Sequence, residues 1–185
     1  IPFEGELKVL GFDPRTQRDD LMKEVCFIAD VAVLPRWMRV RDALDFVAGT
    51  HPKFDRSKAD AYLAKTKLKP TMKVKEMSKG MIVQLHLAIV MSIDAKLLVL
   101  DEPTDGLDPN QKHEVRSLIQ EMAPGKAIVL STHILEEVEA VCTRAIIIAS
   151  GRVLFDGTPQ ELAARGPLDT VFRKITTSGS ATNQS

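Results

Sequence analysis

The chain has 185 residues, enough for one well-packed α/β domain, and its 44% of apolar residues can build a core without any membrane-length run. Acidic and basic residues balance at 25 each, which excludes a global charge that would pull the protein onto nucleic acid or an anionic surface; any partner has to be recognised locally. Cys26 and Cys142 lie outside metal or redox spacings and are expected to be buried thiols in a reducing cytosol.

The opening Ile1-Pro2-Phe3-Glu4-Gly5 has no initiating Met and no leader, and reads as a truncation. A short extended segment is expected over Glu6–Leu10, a turn at Gly11-Phe12-Asp13-Pro14, and an apolar strand over Val25–Ala29. Between Trp37 and Val90 strand signals vanish. Val40, Ala43, Leu44 and Val47 recur at three- and four-residue spacing, as on one helix face, and a second helix is predicted over Ser57–Leu68. A third is predicted over Ser78–Met91, with Ser78 as its N-cap.

After Asp94 the pattern changes. Leu97–Leu100, Ala127–Leu130 and Ile146–Ile148 are apolar runs without alternation, separated by helical stretches. Such strands are expected to be covered on both faces, in a parallel sheet sandwiched between helices, with all strand C-termini on one edge where ligands bind. Helix-forming Glu136-Glu137-Val138-Glu139, then Gly151–Pro159 with its strand and turn residues, close the ordered part. Residues 176–185 are small and polar and are predicted to be a flexible tail.

The decisive segment is Leu97-Leu98-Val99-Leu100-Asp101-Glu102-Pro103-Thr104-Asp105-Gly106-Leu107-Asp108-Pro109. Adjacent carboxylates at the end of a buried strand are costly unless they hold a cation or are neutralised, so they mark a functional position. Met77-Ser78-Lys79-Gly80-Met81 opens a helix whose free N–H groups can bind phosphate. Ser131-Thr132-His133 follows a strand at the same sheet edge.

The 97–109 run resembles the Walker B and D-loop motif of ABC-type ATPases, and the resemblance extends from about Gly5 to Leu162. It implies a P-loop NTPase fold: a mostly parallel sheet flanked by helices, with an α-helical subdomain inserted before the Walker B strand. By the same resemblance Asp101 helps hold Mg²⁺, Glu102 polarises the attacking water as general base, and His133 matches the H-loop that contacts the γ-phosphate of ATP. Residues 77–81 resemble the signature loop, usually L-S-G-G-Q, with Lys79 in place of a glycine; Ser78, Lys79, Gly80, Met81 and the D-loop Asp108 are the nucleotide-contacting candidates. A cation in the first helical turn opposes the dipole unless an anion sits there, and a γ-phosphate would be such an anion. Asp30 stands where the family carries its Q-loop Gln; it can accept a hydrogen bond or bind metal through water but cannot donate. Arg36, Arg39 and Arg41 form either a solvated helix face or a contact to a permease. His51, His86 and His113 are assigned packing or surface roles.

No G-x-x-x-x-G-K-S/T occurs; in the family this loop precedes the segment that Gly5–Val9 resembles, and it would lie before Ile1. The resemblance divides the chain into a partial ATPase core (1–30), a helical subdomain with the signature loop (31–93), a core with Walker B, D- and H-loops (94–175) and the tail (176–185). It implies an ATP-hydrolysing transporter subunit, inactive as this stretch alone, cytoplasmic and peripheral at the inner face of the plasma membrane. Its partners would be a membrane permease and a second ATPase domain, in a homo- or heterodimer, without nucleic acid and without a transmembrane span of its own. Export is the implied direction. Two alternatives stay open: a degenerate non-catalytic subunit that regulates or scaffolds an intact partner, and a soluble ABC ATPase of DNA repair or ribosomes, which the missing basic stripe and coiled-coil insertion argue against.

Overall fold

A computed structural model describes residues 4–29, 34–166 and 170. The chain divides into two compact units, Ile1–Ser131 and Thr132–Ser185.

In the first unit no strand forms over Glu6–Leu10; instead Val9 and Phe12 exchange backbone hydrogen bonds of 2.9 Å around Leu10 and Gly11, both with positive φ. The segment finds no sheet neighbour among the described residues, so its alternating charges stay in solvent. Helix α1 (Arg18–Met22) buries Leu21, and β1 (Val25–Ile28) follows. Helix α2 (Val40–Thr50) buries the stripe of Val40, Ala43 and Leu44 that its periodicity predicts. Helix α3 (Arg56–Leu63) is capped by Asp55, whose carboxylate accepts from the N–H groups of Ser57 and Lys58. It stops five residues before the predicted Leu68 because Thr66 competes for the backbone: its hydroxyl donates to the Leu63 carbonyl (2.9 Å) and accepts from Leu68 N–H (3.1 Å). Helix α4 (Lys79–Met91) starts where Ser78 caps it and buries Leu85, Leu87, Ala88, Ile89 and Val90.

Strand β2 (Leu97–Asp101), helix α5 (Pro109–Met122) and strand β3 (Ala127–Ser131) complete the unit. The three strands are parallel in the order β1-β2-β3, with Ile28, Leu100 and Leu130 in line across the sheet. One face is packed: Cys26, Ile28, Leu98 and Leu100 join the α2–α4 residues in a single apolar core. The expectation of two covered faces fails here, because Phe27 is 60% and Val129 55% exposed.

In the second unit, helix α6 (Leu135–Val141) precedes strands β4 (Ala145–Ala149) and β5 (Arg152–Gly157), and helix α7 (Pro159–Ala163) follows. The run Ile146–Ile148 therefore belongs to an antiparallel β4–β5 pair and not to the parallel sheet. Ser150 and Gly151, both with positive φ, make the two-residue turn that such pairing favours. Ala145, Ile147, Phe155 and Leu162 form the small core, whereas Ile146 and Ile148 are exposed. Thr158 and Glu161 cap α7 reciprocally, at 2.7 and 3.1 Å. Of the two cysteines expected to be buried, Cys26 is; Cys142, at the end of α6, is only half-buried. Asp30 and the predicted tail lie outside the described residues. No helix among the described residues is long and apolar enough to cross a membrane.

Because Leu98 is fully buried at the centre of the first unit, Leu98→Ala is expected to lower stability by about 2–5 kcal/mol, whereas Val129→Thr on the open face stays within about 1 kcal/mol. Chemical denaturation of the two variants checks the contrast.

Candidate functional site

Strand β2 carries four apolar residues and ends in Asp101, and the parallel register sets Asp101 against Ser131 of β3. The Ser131 hydroxyl donates to Asp101 Oδ1. A half-buried carboxylate needs such donors in place of the water it loses. Glu102 then turns into the left-handed region, at φ +46°, a conformation uncommon for a non-glycine residue and typical of sites where function overrides local preference. Its N–H is held at 3.1 Å by both the carbonyl and the hydroxyl oxygen of Ser131. One serine thus organises both acids.

The loop that follows is folded on itself. Asp105 N–H donates to the Glu102 carbonyl (3.1 Å), and Gly106 supplies a φ of +66°. Asp108 then caps α5: its carboxylate accepts from the N–H groups of Asn110 and Gln111, each at 3.0 Å, with Pro109 at the first helical position. Ser78 caps α4 in the same way, its hydroxyl accepting from Met81 N–H at 3.2 Å. The two helix starts are clasped together. A Cβ added to Gly80 would lie 2.5 Å from Gln111 Nε2, so glycine there allows the approach. Lys79 Nζ reaches Asp105 Oδ2 at 3.2 Å. The anion that offsets the cation at the start of α4 is accordingly a D-loop carboxylate of the same chain.

A cleft opens at the C-terminal ends of β1 and β2, lined by Ile28, Ala29, Asp101, Glu102 and Pro103 on one side and by Lys79, Ile82, Val83, His86 and Leu87 of α4 on the other. The structure therefore brings Lys79, Asp101 and Glu102 to one cleft, while Ser78, Gly80 and Asp108 shape the loops beside it. Met81 packs against the core. Sequence reasoning gave His86 no part here. The available signal was its position in the stripe Lys79, Ile82, Val83, His86, spaced by three and four residues along α4. Ser131 was also missed as a partner of Asp101, since only strand register reveals it.

Asp101 offers a hard carboxylate oxygen of the kind Mg²⁺ prefers. Among the described residues no three His, Cys, Asp or Glu side chains converge; Mg²⁺ ordinarily uses one or two carboxylates with water and phosphate oxygens, so the donor set fits. His133 belongs to the second unit and is exposed. Beside it Thr132 accepts from Ile134 N–H (3.0 Å) and donates to the buried carboxylate of Glu137 (2.9 Å), which fixes the backbone turn that carries His133.

Parallel strands with paired acids at their C-terminal edge, beside a capped helix start, define an α/β domain with a candidate ligand site where the strands end. A family model described as "AAA domain, putative AbiEii toxin, Type IV TA system" matches residues 28–139. The Nod factor export ATP-binding protein I of Rhizobium meliloti is 34% identical over 169 residues, covering 88% of this chain and 46% of that protein. Its namesake from Burkholderia pseudomallei (strain K96243) is 45% identical over 103 residues, covering 54% and 33%. The chain thus spans about half the length, or less, of the curated relatives it matches. A solved "Structure of ATP binding subunit of ABC transporter" superimposes with a TM-score of 0.78 over 91% of this chain and 75% of that one; at 23% identity it shows the fold. The chain belongs to the family of that model, the AAA domains, and has the P-loop NTPase-type fold of an ABC transporter's ATP-binding subunit.

Burial lowers the pKa of His86, and burial followed by the Lys53 charge lowers that of His51. Both imidazoles are then neutral in the folded chain where the unfolded chain, with a pKa of about 6.5, begins to bind protons. Stability is therefore present above about pH 6.5 and is lost as pH falls below it. His86→Gln is expected to reduce that acid-side loss, read as urea midpoints at about pH 7.5 and 5.5; an unchanged difference between the two midpoints contradicts the assignment.

Proposed function

We propose that the full-length protein binds and hydrolyses ATP as the subunit of an ABC transporter that powers a membrane permease. The observation that carries this reading is the acid pair Asp101–Glu102 at the end of the central strand, both tied to Ser131 and the second in a left-handed backbone conformation. Adjacent residues with different backbone geometry can serve two tasks: Asp101 would hold Mg²⁺, directly or through water, and Glu102 would take a proton from the water that attacks the terminal phosphate. Mg²⁺, when bound, neutralises charge on the phosphates.

Ser78, Lys79, Gly80 and Met81 would present the start of α4 to the nucleotide of a second ATPase domain, in a homo- or heterodimer whose closure drives the permease. Asp108, with its carboxylate committed to α5, contributes by fixing the loop between the acids and that helix. Asp30 would accept a hydrogen bond or hold the metal through water, and His133 would orient the attacking water. The frame for these roles is a core over 1–30 and 94–175, a helical subdomain over 31–93 and a tail over 176–185. The relatives' name, Nod factor export ATP-binding protein I, supports export as the direction; a subunit that powers a permease would sit at the inner face of the plasma membrane.

One observation favours the second reading, a non-catalytic partner: Lys79 replaces a signature glycine and is held by Asp105 of its own chain. Measured turnover separates the two, since the non-catalytic form hydrolyses no ATP in the full-length state.

Glu102→Gln in the full-length protein is expected to retain nucleotide binding and to lose at least about a hundredfold in turnover, the lower scale for removal of a general base; near-normal turnover refutes the role. His133→Ala should slow hydrolysis while leaving nucleotide affinity in place, and unchanged hydrolysis would assign His133 to structure alone.

A further inference from the structure

The neutral chain hides a local charge. Residues 34–75 contain 11 Lys or Arg against four acids, all Asp, and Glu76 at their edge accepts from Lys73 N–H at 2.9 Å. Each of the four acids is engaged: Asp42 accepts from Arg39 N–H and pairs with Arg41, Asp45 and Asp60 pair with Arg56, and Asp55 caps α3 beside Lys58. Arg36, Arg39, Lys67, Lys69, Lys73 and Lys75 are left with no ion pair among the described residues.

The backbone gathers five of these six, with Lys67 two residues before the second stretch. Val40 N–H donates to the Met72 carbonyl (3.1 Å), Arg41 N–H to Pro70 (3.0 Å), Val74 N–H to Met38 (3.0 Å) and Lys75 N–H to Arg36 (3.1 Å). Two basic stretches, 36–41 and 69–75, thereby run side by side and antiparallel. Arg39 and Lys73 are bridge partners without a hydrogen bond to each other, the arrangement in which opposed side chains lie closest, and like charges so placed repel. An external anion would relieve that repulsion. Trp37, 68% exposed, and Phe46, 64% exposed, add apolar rings to the same subdomain.

We propose that this surface docks on the anionic phospholipid headgroups of a membrane. Lysine predominates over arginine in the patch, whereas protein–protein contacts are enriched in Arg and depleted in Lys. Flexible lysines suit the diffuse potential of a charged leaflet, and an exposed tryptophan suits its headgroup level. The proposal concerns lipid contact by this chain itself and does not rest on the ATPase reading.

The test is co-sedimentation of the full chain with vesicles of phosphatidylcholine containing phosphatidylglycerol, against vesicles of phosphatidylcholine alone. Binding is expected to the first only, and to disappear when salt rises from about 0.1 M to about 1 M, as the Debye length falls from about 10 Å to about 3 Å. Combined Lys69→Gln, Lys73→Gln and Lys75→Gln should weaken it on the order of a hundredfold. If that variant fails to fold, Lys67→Gln with Lys69→Gln, both exposed and outside the bridge, should weaken it on the order of tenfold. The charge-matched control of Lys8→Gln, Lys23→Gln and Lys58→Gln, each beside its own acid, should retain binding. Equal recovery with both vesicle types, equal loss in the control, or no binding to either vesicle, as for a surface that serves an acidic protein segment, overturns the proposal.

Discussion

The site depends on one constraint: a carboxylate must be kept at the end of a strand whose core-facing side chains, Leu98 and Leu100, are fully buried. Asp101 follows directly. Leaving such a group without donors costs several kcal/mol in proteins. The solution is architectural. A parallel partner in register places Ser131 beside it, and the hydroxyl that satisfies Asp101 also receives the N–H of Glu102. A slip of one residue in the β2–β3 register would remove both contacts and turn the apolar residues of β2 to the open face.

From that point the neighbouring loops follow. With Glu102 in a left-handed conformation the chain leaves the sheet abruptly, folds through Gly106 and reaches Asp108, which starts α5. Helix α4 runs back over the same edge. The contact between the two helix starts needs a residue without a side chain at Gly80 and gains an ion pair from Lys79 to Asp105. Exposed as that pair is, it contributes at most about 1 kcal/mol. Its significance is geometric: it joins the loop after the acids to the helix that faces them across the cleft.

Much of this was legible in the sequence. The boundaries of β2 and β3 followed from uninterrupted apolar runs ending in polar residues, and the α4 start followed from Ser78, because capping is a local interaction that sequence encodes directly. The prominence of Asp101 and Glu102 was equally plain. What stayed hidden was tertiary. Periodicity cannot distinguish a strand covered on both faces from one covered on a single face, so the exposure of Phe27 and Val129 went unseen. Nor can it tell that Ile146–Ile148 pairs antiparallel with a neighbour instead of joining the parallel sheet. The early end of α3 at Thr66 and the Lys79–Asp105 pair depend on side-chain bonds that spacing does not announce, and His86 was overlooked although its place on the α4 stripe was available.

The proposed function requires Asp101 to hold the metal of a bound nucleotide. Titration of the full-length protein with ATP, in the presence of Mg²⁺ and again with the metal chelated, tests this most directly when wild type is compared with Asp101→Asn. The wild type is predicted to bind more tightly with Mg²⁺ than without it, and the variant to lose most of that difference while keeping its metal-free affinity. An identical Mg²⁺ dependence in the two proteins would contradict the assignment.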